Sequence, residues 1–514
     1  MRFELDAPLG LTLALIPDLI VAVGAMLLLL WAAWRPESAA HQRSVGVGSI
    51  VVALAGLAAS IYYLIRGAGA SDGPVAADNF RWMMNAIILV GTIAAIALAM
   101  EDNERQGMHV AESHVLLLLG SSGMMLLAAA RDLMIVFLGV ELMSVAVYAL
   151  AGMNRRSARS AEGALKYFLL GAFSSAFLLY GIALIYGATG TVQLSQIGAR
   201  IAEPSLGVST SPLLLPGVAL LLVGFAFKVS AVPFHMWAPD VYDGAPTAIT
   251  AYMAATVKAA AFAAFLRVWL EAFPDTFEAW RPAVTLLAVA TMVVGNAVGL
   301  VQRNVKRLLA YSSIGHAGYL LVAVAADTPQ ATTAVVFYLL IYTLATFGAF
   351  AVVSALTRPG EGTLMLDEIS GLWHERPWLA AAMAVFMLAL LGFPIFGGAG
   401  FFAKYYVVQA ALDAPRPQTP LAVALMLTTV VSAGYYLYVV MVMFMRPRPE
   451  GAAASAPSTG LTRVIIAVTA VLILVLGVAP DLAVRAAREA APRLGASAGA
   501  RTTAAGAEAP VAVR

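Results

Sequence analysis

Long apolar runs dominate the chain, and short charged or proline- and glycine-rich breaks separate them. A transmembrane helix needs about 20 predominantly apolar residues. By this criterion the pattern predicts an all-α polytopic membrane protein with about fourteen transmembrane helices. The predicted spans lie near residues 9–34, 44–66, 82–100, 110–130, 132–152, 162–187, 213–235, 246–270, 282–302, 306–326, 331–357, 377–412, 420–445 and 462–483.

Two of these spans, the seventh and the twelfth, contain breaks. The seventh is followed by Val232-Pro233-Phe234, and the twelfth is too long for one straight helix. A broken helix is tolerated at membrane depth only where its free backbone is buried in protein or lines a wet cavity. We therefore predict that helices 7 and 12 are discontinuous. The residues that interrupt the twelfth span are Gly392, Pro394, Gly397, Gly398 and Gly400.

Each broken span stands fourth in a group of five, helices 4–8 and 9–13. Units with an odd number of helices would be inverted relative to each other, a pattern known in transporters. We therefore predict two inverted five-helix repeats. The predicted organisation is three N-terminal helices over 1–109, a first repeat over 110–271, a second repeat over 281–445, a C-terminal helix 14 over 446–483 and a disordered tail over 484–514.

Composition agrees with a membrane protein, because 61% of the residues are hydrophobic and 12% are charged, against about 25% charged in soluble domains. The absence of cysteine excludes disulfides and cysteine-ligated iron–sulfur or zinc sites within the chain. With the C-terminal tail left out, lysine and arginine number 14 in the odd-numbered connections and 7 on the other side. The positive-inside rule then predicts that this side is cytoplasmic and that both termini lie outside.

The chain has only five lysines among its 31 basic residues. Four of them, Lys166, Lys228, Lys258 and Lys404, lie inside apolar segments, whereas Lys306 lies in a basic connection. The pattern indicates that buried positive charges are mostly lysine and peripheral ones arginine. Arginine stays protonated, but a desolvated lysine can lose its proton near neutral pH. Because a lone charge at mid-membrane costs roughly 2.5–3.5 kcal/mol, the buried lysines predict a proton pathway.

Glu141 is a carboxylate in the middle of predicted helix 5. A nearby opposite charge favours the charged form of a lysine and burial disfavours it, so Glu141 could switch a neighbouring lysine. The alternative is a structural carboxylate that hydrogen-bonds to a neighbouring helix. Lysines near helix ends can instead extend their ammonium groups to the interface, and this alternative is strongest for Lys166.

His235 and His316 are the histidines that we place at membrane depth. Either could relay protons between lysines, and the alternative is a hydrogen-bonded packing residue. The sequence contains no nucleotide-binding loop, catalytic Ser/His/Asp pattern or metal-ligand spacing.

Three motifs carry a family resemblance. Residues 232–247, V-P-F-H-M-W-A-P-D-V-Y-D-G-A-P-T, resemble the signature of the antiporter-like subunits of respiratory complex I, the proton-translocating NADH:quinone oxidoreductase. Residues 163–177, G-A-L-K-Y-F-L-L-G-A-F-S-S-A-F, and 305–319, V-K-R-L-L-A-Y-S-S-I-G-H-A-G-Y, are similar to subunit N within that group. The resemblance extends from residue 10 to about residue 480.

The resemblance implies a fourteen-helix fold and proton translocation coupled to NADH oxidation by quinone. It implies that this chain binds no cofactor itself, and that NADH, FMN, iron–sulfur clusters and quinone belong to partner subunits. The implied partners are the antiporter-like subunit M and the small subunits K and J, in the bacterial plasma (inner) membrane. The alternatives are a subunit of a multisubunit cation/proton antiporter, and a scaffold in which the ionisable residues only hold helices together.

The resemblance also assigns roles to individual residues. Glu141 corresponds to a helix 5 glutamate that modulates lysine charge, Lys228 to the helix 7 lysine and Lys258 to the central helix 8 lysine. Lys404 corresponds to the helix 12 lysine near the exit path, and Lys166 to the lysine of the A-L-K-Y-F motif. One departure from the family pattern is the helix 12 break, which is two residues longer and lacks a second proline.

Overall fold

A computed structural model describes residues 6–35, 38–67, 73–326, 328–358, 363–395, 398–448 and 460–491. These residues are almost entirely helical, and their only β-type pairings are three isolated bridges. The helices of the first half are α1 (Asp6–Ala14), α2 (Ile16–Trp34), α3 (Ala39–Arg66), α4 (Asn79–Arg105), α5 (Glu112–Ala129), α6 (Leu133–Ala151), α7 (Ala158–Thr189), α8 (Leu194–Ala202), α9 (Leu214–Lys228), α10 (Ala238–Gly244), α11 (Thr247–Tyr252) and α12 (Lys258–Ala272).

The second half continues the helical bundle, and each of its long helices is apolar enough to lie in a membrane. Its helices are α13 (Phe277–Gly299), α14 (Val305–Ala326), α15 (Pro329–Leu356), α16 (Leu372–Glu375), α17 (Pro377–Leu391), α18 (Gly398–Leu412), α19 (Thr419–Met445), α20 (Gly460–Val478) and α21 (Asp481–Ala490).

Twelve helices within the described ranges are long and apolar enough to cross a membrane. The predicted seventh and twelfth spans are not among them, because each is interrupted. The seventh ends as α9 at Lys228 and resumes as α10, and the twelfth is divided into α17 and α18. The described parts of helices 7 and 12 are therefore discontinuous, as predicted. The total of fourteen and the inverted repeats stay predictions.

The bundle has a buried centre and an apolar rim. In an apolar 18-residue stretch of each helix, 100%, 94% and 94% of the residues are buried in Thr247–Ala272, Val305–Ala326 and Pro329–Leu356. The corresponding shares are only 28% and 22% in Ile16–Trp34 and Gly460–Val478. A helix that is apolar all round and still buried belongs to a core, and exposed apolar faces suit lipid. The predicted site residues Lys258 and His316 lie on the central helices.

The segment that we predicted to be a disordered C-terminal tail begins inside a helix. Residues 484–490, which we predicted to begin a disordered tail, belong to the amphipathic helix α21, whose Val484, Ala487 and Ala490 are buried. The i, i+3, i+6 spacing gives this alanine- and arginine-rich segment one apolar face, and that face packs against α15. Residues 492–514 of the predicted tail lie outside the described residues.

At the second break, α18 packs against the backbone of α17 at very short range. α17 ends at Leu391 and is followed by Gly392, whose φ of 81° lies in the left-handed region that favours glycine. After the break, Gly400 of α18 packs so closely against α17 that a Cβ atom there would overlap the Ala389 carbonyl oxygen. Lys404 follows Gly400 by one helical turn, so this contact positions its side chain.

Substituting Gly400 tests this close approach. We expect Gly400→Ala to destabilise the protein by about 1–3 kcal/mol, because the overlapping atom belongs to backbone and cannot rotate away. The thermal unfolding midpoint in detergent measures the effect. The control is Gly10→Ala, where an added Cβ meets nothing within 4 Å. Equal midpoints for Gly400→Ala and the wild type would show that α17 and α18 are not held at this contact.

Candidate functional site

Lys228 is the last residue of α9 and lies at the start of the first break. Its ammonium group donates hydrogen bonds to the Ser144 hydroxyl at 2.7 Å and to the Tyr148 hydroxyl at 3.3 Å, both on α6. The side chain is buried. Beyond it, Ser230 has a φ of 61°, a region that residues other than glycine adopt infrequently. The break thus turns the chain sharply and leaves Lys228 facing neutral hydroxyl groups.

Glu141 lies on α6, three residues before Ser144 and half-buried. Its Oε1 atom is buried without a hydrogen-bond partner. No ion pair joins Glu141 to Lys228 in the described part of the chain, although the carboxylate acts on the lysine electrostatically. Three residues correspond to about 4.5 Å along a helix. A small movement of α6 or α9 would therefore change the interaction between the two charges.

Lys258 begins α12, directly after a π-helical turn over Met253–Val257. Single π-turns inside α-helices occur frequently at functional sites. The Lys258 ammonium group donates to both the carbonyl oxygen and the hydroxyl of Ser313, each at 2.5 Å. Only 2% of Lys258 is exposed. Its charge is held by two neutral acceptors on α14.

His316 lies one turn beyond Ser313 on α14 and is bracketed by two tyrosines. Its Nδ1 atom is 2.6 Å from the Tyr338 hydroxyl, and its Nε2 atom is 3.0 Å from the Tyr436 hydroxyl. The Tyr436 hydroxyl also forms a hydrogen bond with Ser312. Both ring nitrogens therefore have partners that can donate and accept protons.

Lys404 lies on α18, just after the second break, and is buried. Its ammonium group donates to the Leu391 carbonyl at 2.8 Å and to the Thr429 hydroxyl at 3.3 Å. It also lies 4.6 Å from the centre of the Tyr319 ring, a cation–π contact. The Leu391 carbonyl belongs to the end of α17, so the break itself supplies an acceptor for the lysine.

Helix α14 connects the second half of the site. Ser313, His316 and Tyr319 are three residues apart, which places them on neighbouring turns of one side of the helix. Ser313 contacts Lys258, and Tyr319 contacts Lys404. A small cavity of about 10 Å³, roughly the space of one water, lies between His316 and Lys404. The structure thus brings Lys258, His316 and Lys404 into one polar cluster.

The structure buries four lysines, as the sequence predicted, but one of the four is Lys306 and not Lys166. Lys166, predicted to lie inside a span, has 42% of its side chain exposed and pairs with Glu162 at 2.7 Å and Asp240 at 2.9 Å. Lys306, predicted to be peripheral, is 1% exposed, and its ammonium group donates to the carbonyls of residues 243 and 245. The physical reason is that Lys166 forms ion pairs with two partly exposed carboxylates, whereas Lys306 caps carbonyls at the end of α10.

The predicted pattern, in which buried positive charges are mostly lysine, has two exceptions among the described residues. Arg81 and Arg267 are completely buried. Arg81 pairs with Asp18, and Arg267 makes a two-pronged contact with Asp78 at 2.8 and 2.9 Å. Paired carboxylates offset the cost of burying these guanidinium groups. Buried arginines are therefore paired, and the buried lysines 228, 258, 306 and 404 contact neutral acceptors.

His235 lies in the first break and is half-buried, with its Nδ1 atom buried and unpartnered. The structure does not connect it to the polar cluster around His316. Trp237, also in the break, stacks on Tyr167 of α7 with the two rings 4.2 Å apart. The Trp237 indole donates to the Phe227 carbonyl at 3.2 Å. His235 thus remains a predicted relay residue without a contact that supports the role.

The hydroxyl partners were missed by sequence reasoning. Serine and tyrosine are common inside apolar spans, so their presence alone carries no functional signal, and their lysine or histidine partners are far away in sequence. The missed residues of the site are Ser144, Tyr148, Ser313, Tyr319, Tyr338, Thr429 and Tyr436. Across the residues that the structure describes, no group of three or more side chains could hold a metal ion.

Comparisons with known proteins agree with this architecture. Residues 130–428 match the family described as NADH:quinone oxidoreductase/Mrp antiporter, TM. The chain is 52% identical over 486 residues to NADH-quinone oxidoreductase subunit N of Gemmatimonas aurantiaca, with 93% of each chain covered. It is 44% identical over 423 residues to the subunit N of Trichlorobacter lovleyi, covering 82% of this chain and 85% of that one.

Two solved structures contain chains with the same fold. A chain of respiratory complex I from Thermus thermophilus with bound aureothin is 36% identical, with a TM-score of 0.77, over 92% of this chain and all of that chain. A chain of the Mrp complex from a Dietzia species has a TM-score of 0.81 at 22% identity, over 94% of this chain and 98% of that chain, and shares the fold alone.

The fold and the buried lysines define a multi-pass, antiporter-like membrane subunit. The chain belongs to the family of NADH-quinone oxidoreductase subunit N, a membrane subunit of complex I. The resemblance found in residues 163–177, 232–247 and 305–319 is thereby confirmed. The sides on which the two termini lie stay a prediction.

Proposed function

We propose that this chain translocates protons as a membrane subunit of NADH:quinone oxidoreductase. The observation that carries the proposal is the different treatment of buried cations. Arg81 and Arg267 are neutralised by carboxylates, whereas the hydrogen bonds of Lys228, Lys258 and Lys404 go to hydroxyls and carbonyls. A paired arginine keeps its charge permanently. A lysine on neutral acceptors can gain or lose a proton when a nearby charge changes.

The proposed path begins at the first break. Glu141 acts on Lys228 through space, so movement of the carboxylate toward or away from the ammonium group would load or release its proton. Lys258 and Ser313 receive the proton at the centre of the bundle, and His316 stands between Lys258 and Lys404. We assign Lys404 to the exit side, as the resemblance implies.

Lys166 and His235 take a smaller part in the proposal. Lys166 pairs with Asp240 of α10, and Arg307 binds the same carboxylate at 2.7 Å. These contacts hold the second half of the broken helix in place. His235, in the break, would exchange protons with water near Lys228.

The energy for translocation would come from partner subunits. The chain has no cysteine, so it supplies no thiolate ligand for an iron–sulfur cluster. NADH, FMN, the iron–sulfur clusters and quinone would be bound by partners, and quinone reduction there would drive the proton steps. We propose subunits M, K and J as membrane neighbours, the bacterial plasma membrane as the location and the outer side for both termini.

A second candidate is a multisubunit cation/proton antiporter that is not coupled to NADH. The similarity of the fold to a chain of the Mrp complex favours it. The two functions differ in what drives proton movement. An antiporter exchanges protons for a cation without NADH, whereas the complex I subunit translocates them only during quinone reduction.

The experiment uses inverted membrane vesicles that contain the intact complex. We expect Lys228→Ala to lower NADH:quinone turnover and NADH-driven proton uptake together by about fivefold, or ~1 kcal/mol of activation free energy. The control is Lys166→Arg, which keeps the exposed ion pairs. Proton exchange driven by a sodium gradient without NADH would instead establish the antiporter function, and an unaffected Lys228→Ala complex would contradict the proposed path.

A further inference from the structure

An open cavity of about 530 Å³ lies on the face of the bundle that carries Arg303 and Arg446. We call it the Arg303 cavity. This is the face that the loop charges predict to be cytoplasmic. Polar side chains line its mouth, among them Gln302, Arg303, Asp367 and Arg446. Its size and polarity suit a vestibule for many waters.

The inner wall of the Arg303 cavity is Tyr435 of α19, which is only 3% exposed. Its hydroxyl donates to the Asn296 side-chain carbonyl at 2.9 Å. The amide nitrogen of Asn296 donates to the Tyr319 hydroxyl at 3.0 Å. Because the Tyr319 ring lies beneath Lys404, polar contacts run from the cavity wall to a proposed proton site.

A second connection runs through the neighbouring residue. The rings of Tyr435 and Tyr436 are 4.4 Å apart, and the two side chains interact electrostatically. The Tyr436 hydroxyl is 3.0 Å from Nε2 of His316. Hydroxyl groups both donate and accept through one oxygen, so they can pass protons onward. The amide of Asn296 donates and accepts at different atoms, so it positions Tyr435 and Tyr319 without passing a proton itself.

We propose that the Arg303 cavity is a proton-access site that loads His316 directly, separately from the break at Lys228. The inference rests on the proposed function of proton translocation. The Tyr435 hydroxyl first turns from Asn296 toward Tyr436. A hydrated proton in the cavity then protonates the Tyr435 oxygen while Tyr435 passes its own hydroxyl proton to Tyr436. Tyr436 in turn passes its proton to Nε2 of His316. Both hydroxyls are restored, water remains in the cavity and the imidazole gains one proton.

The first test is Tyr435→Phe, which removes the hydroxyl and keeps the ring. In inverted vesicles the predicted cytoplasmic face is in contact with the medium, so its pH can be varied. We expect NADH-driven proton uptake to fall several-fold at alkaline pH, where protons are scarce and access limits the rate. At mildly acid pH the uptake should approach that of the wild type. The control is Tyr180→Phe, an exposed tyrosine on α7.

The second test blocks the cavity chemically, since the chain has no cysteine of its own. Leu300→Cys places a thiol on the cavity lining, and a positively charged, membrane-impermeant methanethiosulfonate reagent would plug it. We expect the labelled complex to show the same alkaline loss as Tyr435→Phe, with no further loss when both changes are combined. The control is Arg156→Cys, an exposed position in another connection on the predicted cytoplasmic side, and the unmodified complex corrects for thiols of partner subunits.

The outcomes separate this inference from the function on which it rests. If Lys258→Ala stops proton uptake but Tyr435→Phe and the plugged cavity leave alkaline uptake unchanged, translocation stands and the access site is wrong. An equal loss at all pH values would show a packing role for Tyr435 and would also overturn the access site. If Lys258→Ala has no effect, the proposed function itself fails.

Discussion

Lys258→Arg is expected to lower NADH-driven proton uptake and coupled turnover by more than about tenfold, or ~1.4 kcal/mol or more of activation free energy, although it keeps the positive charge. Lys258 is 2% exposed and its ammonium group contacts only Ser313. A guanidinium group stays protonated in proteins. The central site would then be permanently charged and could no longer pass a proton on.

The measurement is NADH:quinone turnover together with proton uptake in inverted vesicles, after a native gel has shown that the complex assembles. Lys258→Ala tests whether the bulk of arginine causes the loss. It should show the same loss, because it removes the proton carrier without adding volume. Lys166→Arg is the matched control, since an exposed arginine can keep the pairs with Glu162 and Asp240. Normal proton uptake by Lys258→Arg would show that the position needs only a charge.

Arg267→Met is expected to cause the largest loss of stability, about 3–5 kcal/mol, because it leaves two largely buried carboxylates without their partner. The Arg267 side chain is completely buried and binds Asp78 through two nitrogens. It also contacts Glu271 at 3.0 Å and the Ala128 carbonyl at 3.2 Å. These contacts join α4, α5 and α12. Arg267 itself lies on α12, nine residues after Lys258.

The midpoint of thermal unfolding of the solubilised complex, with a native gel for assembly, measures this loss. Arg281→Ala is the control, because its partner Glu278 is 55% exposed and such pairs contribute about 0–1 kcal/mol. The double substitution Arg267→Met with Asp78→Asn should be less unstable than Arg267→Met alone, since it also removes one unpaired charge. A single variant as stable as the wild type would contradict the structural role of this ion pair.

The sequence alone determined the class of the protein and much of its outline. Apolar runs predict membrane helices because a spanning segment must be about 20 residues long, and glycine and proline mark the two breaks. The family motifs predicted the relationship that the comparisons confirm. The identity of the central residues, Lys228, Lys258, His316 and Lys404, also followed from the sequence, since a charge in an apolar span is costly and therefore conspicuous.

Only the tertiary structure decided which polar residues are buried and what they contact. Hydropathy does not distinguish a helix surrounded by protein from one that faces lipid, because both are apolar. For this reason the sequence predicted a buried Lys166 and a peripheral Lys306, whereas the structure exposes part of Lys166 and buries Lys306. The buried ion pairs of Arg81 and Arg267 were not predicted.

The contacts that define the site join residues far apart in the chain. Lys228 and Ser144 are separated by 84 positions, and His316 and Tyr436 by 120. Helical periodicity describes one helix at a time and says nothing about the partner that its polar face meets. The hydroxyl partners of each lysine, the environment of His316 and the Arg303 cavity exist only where separate helices pack together.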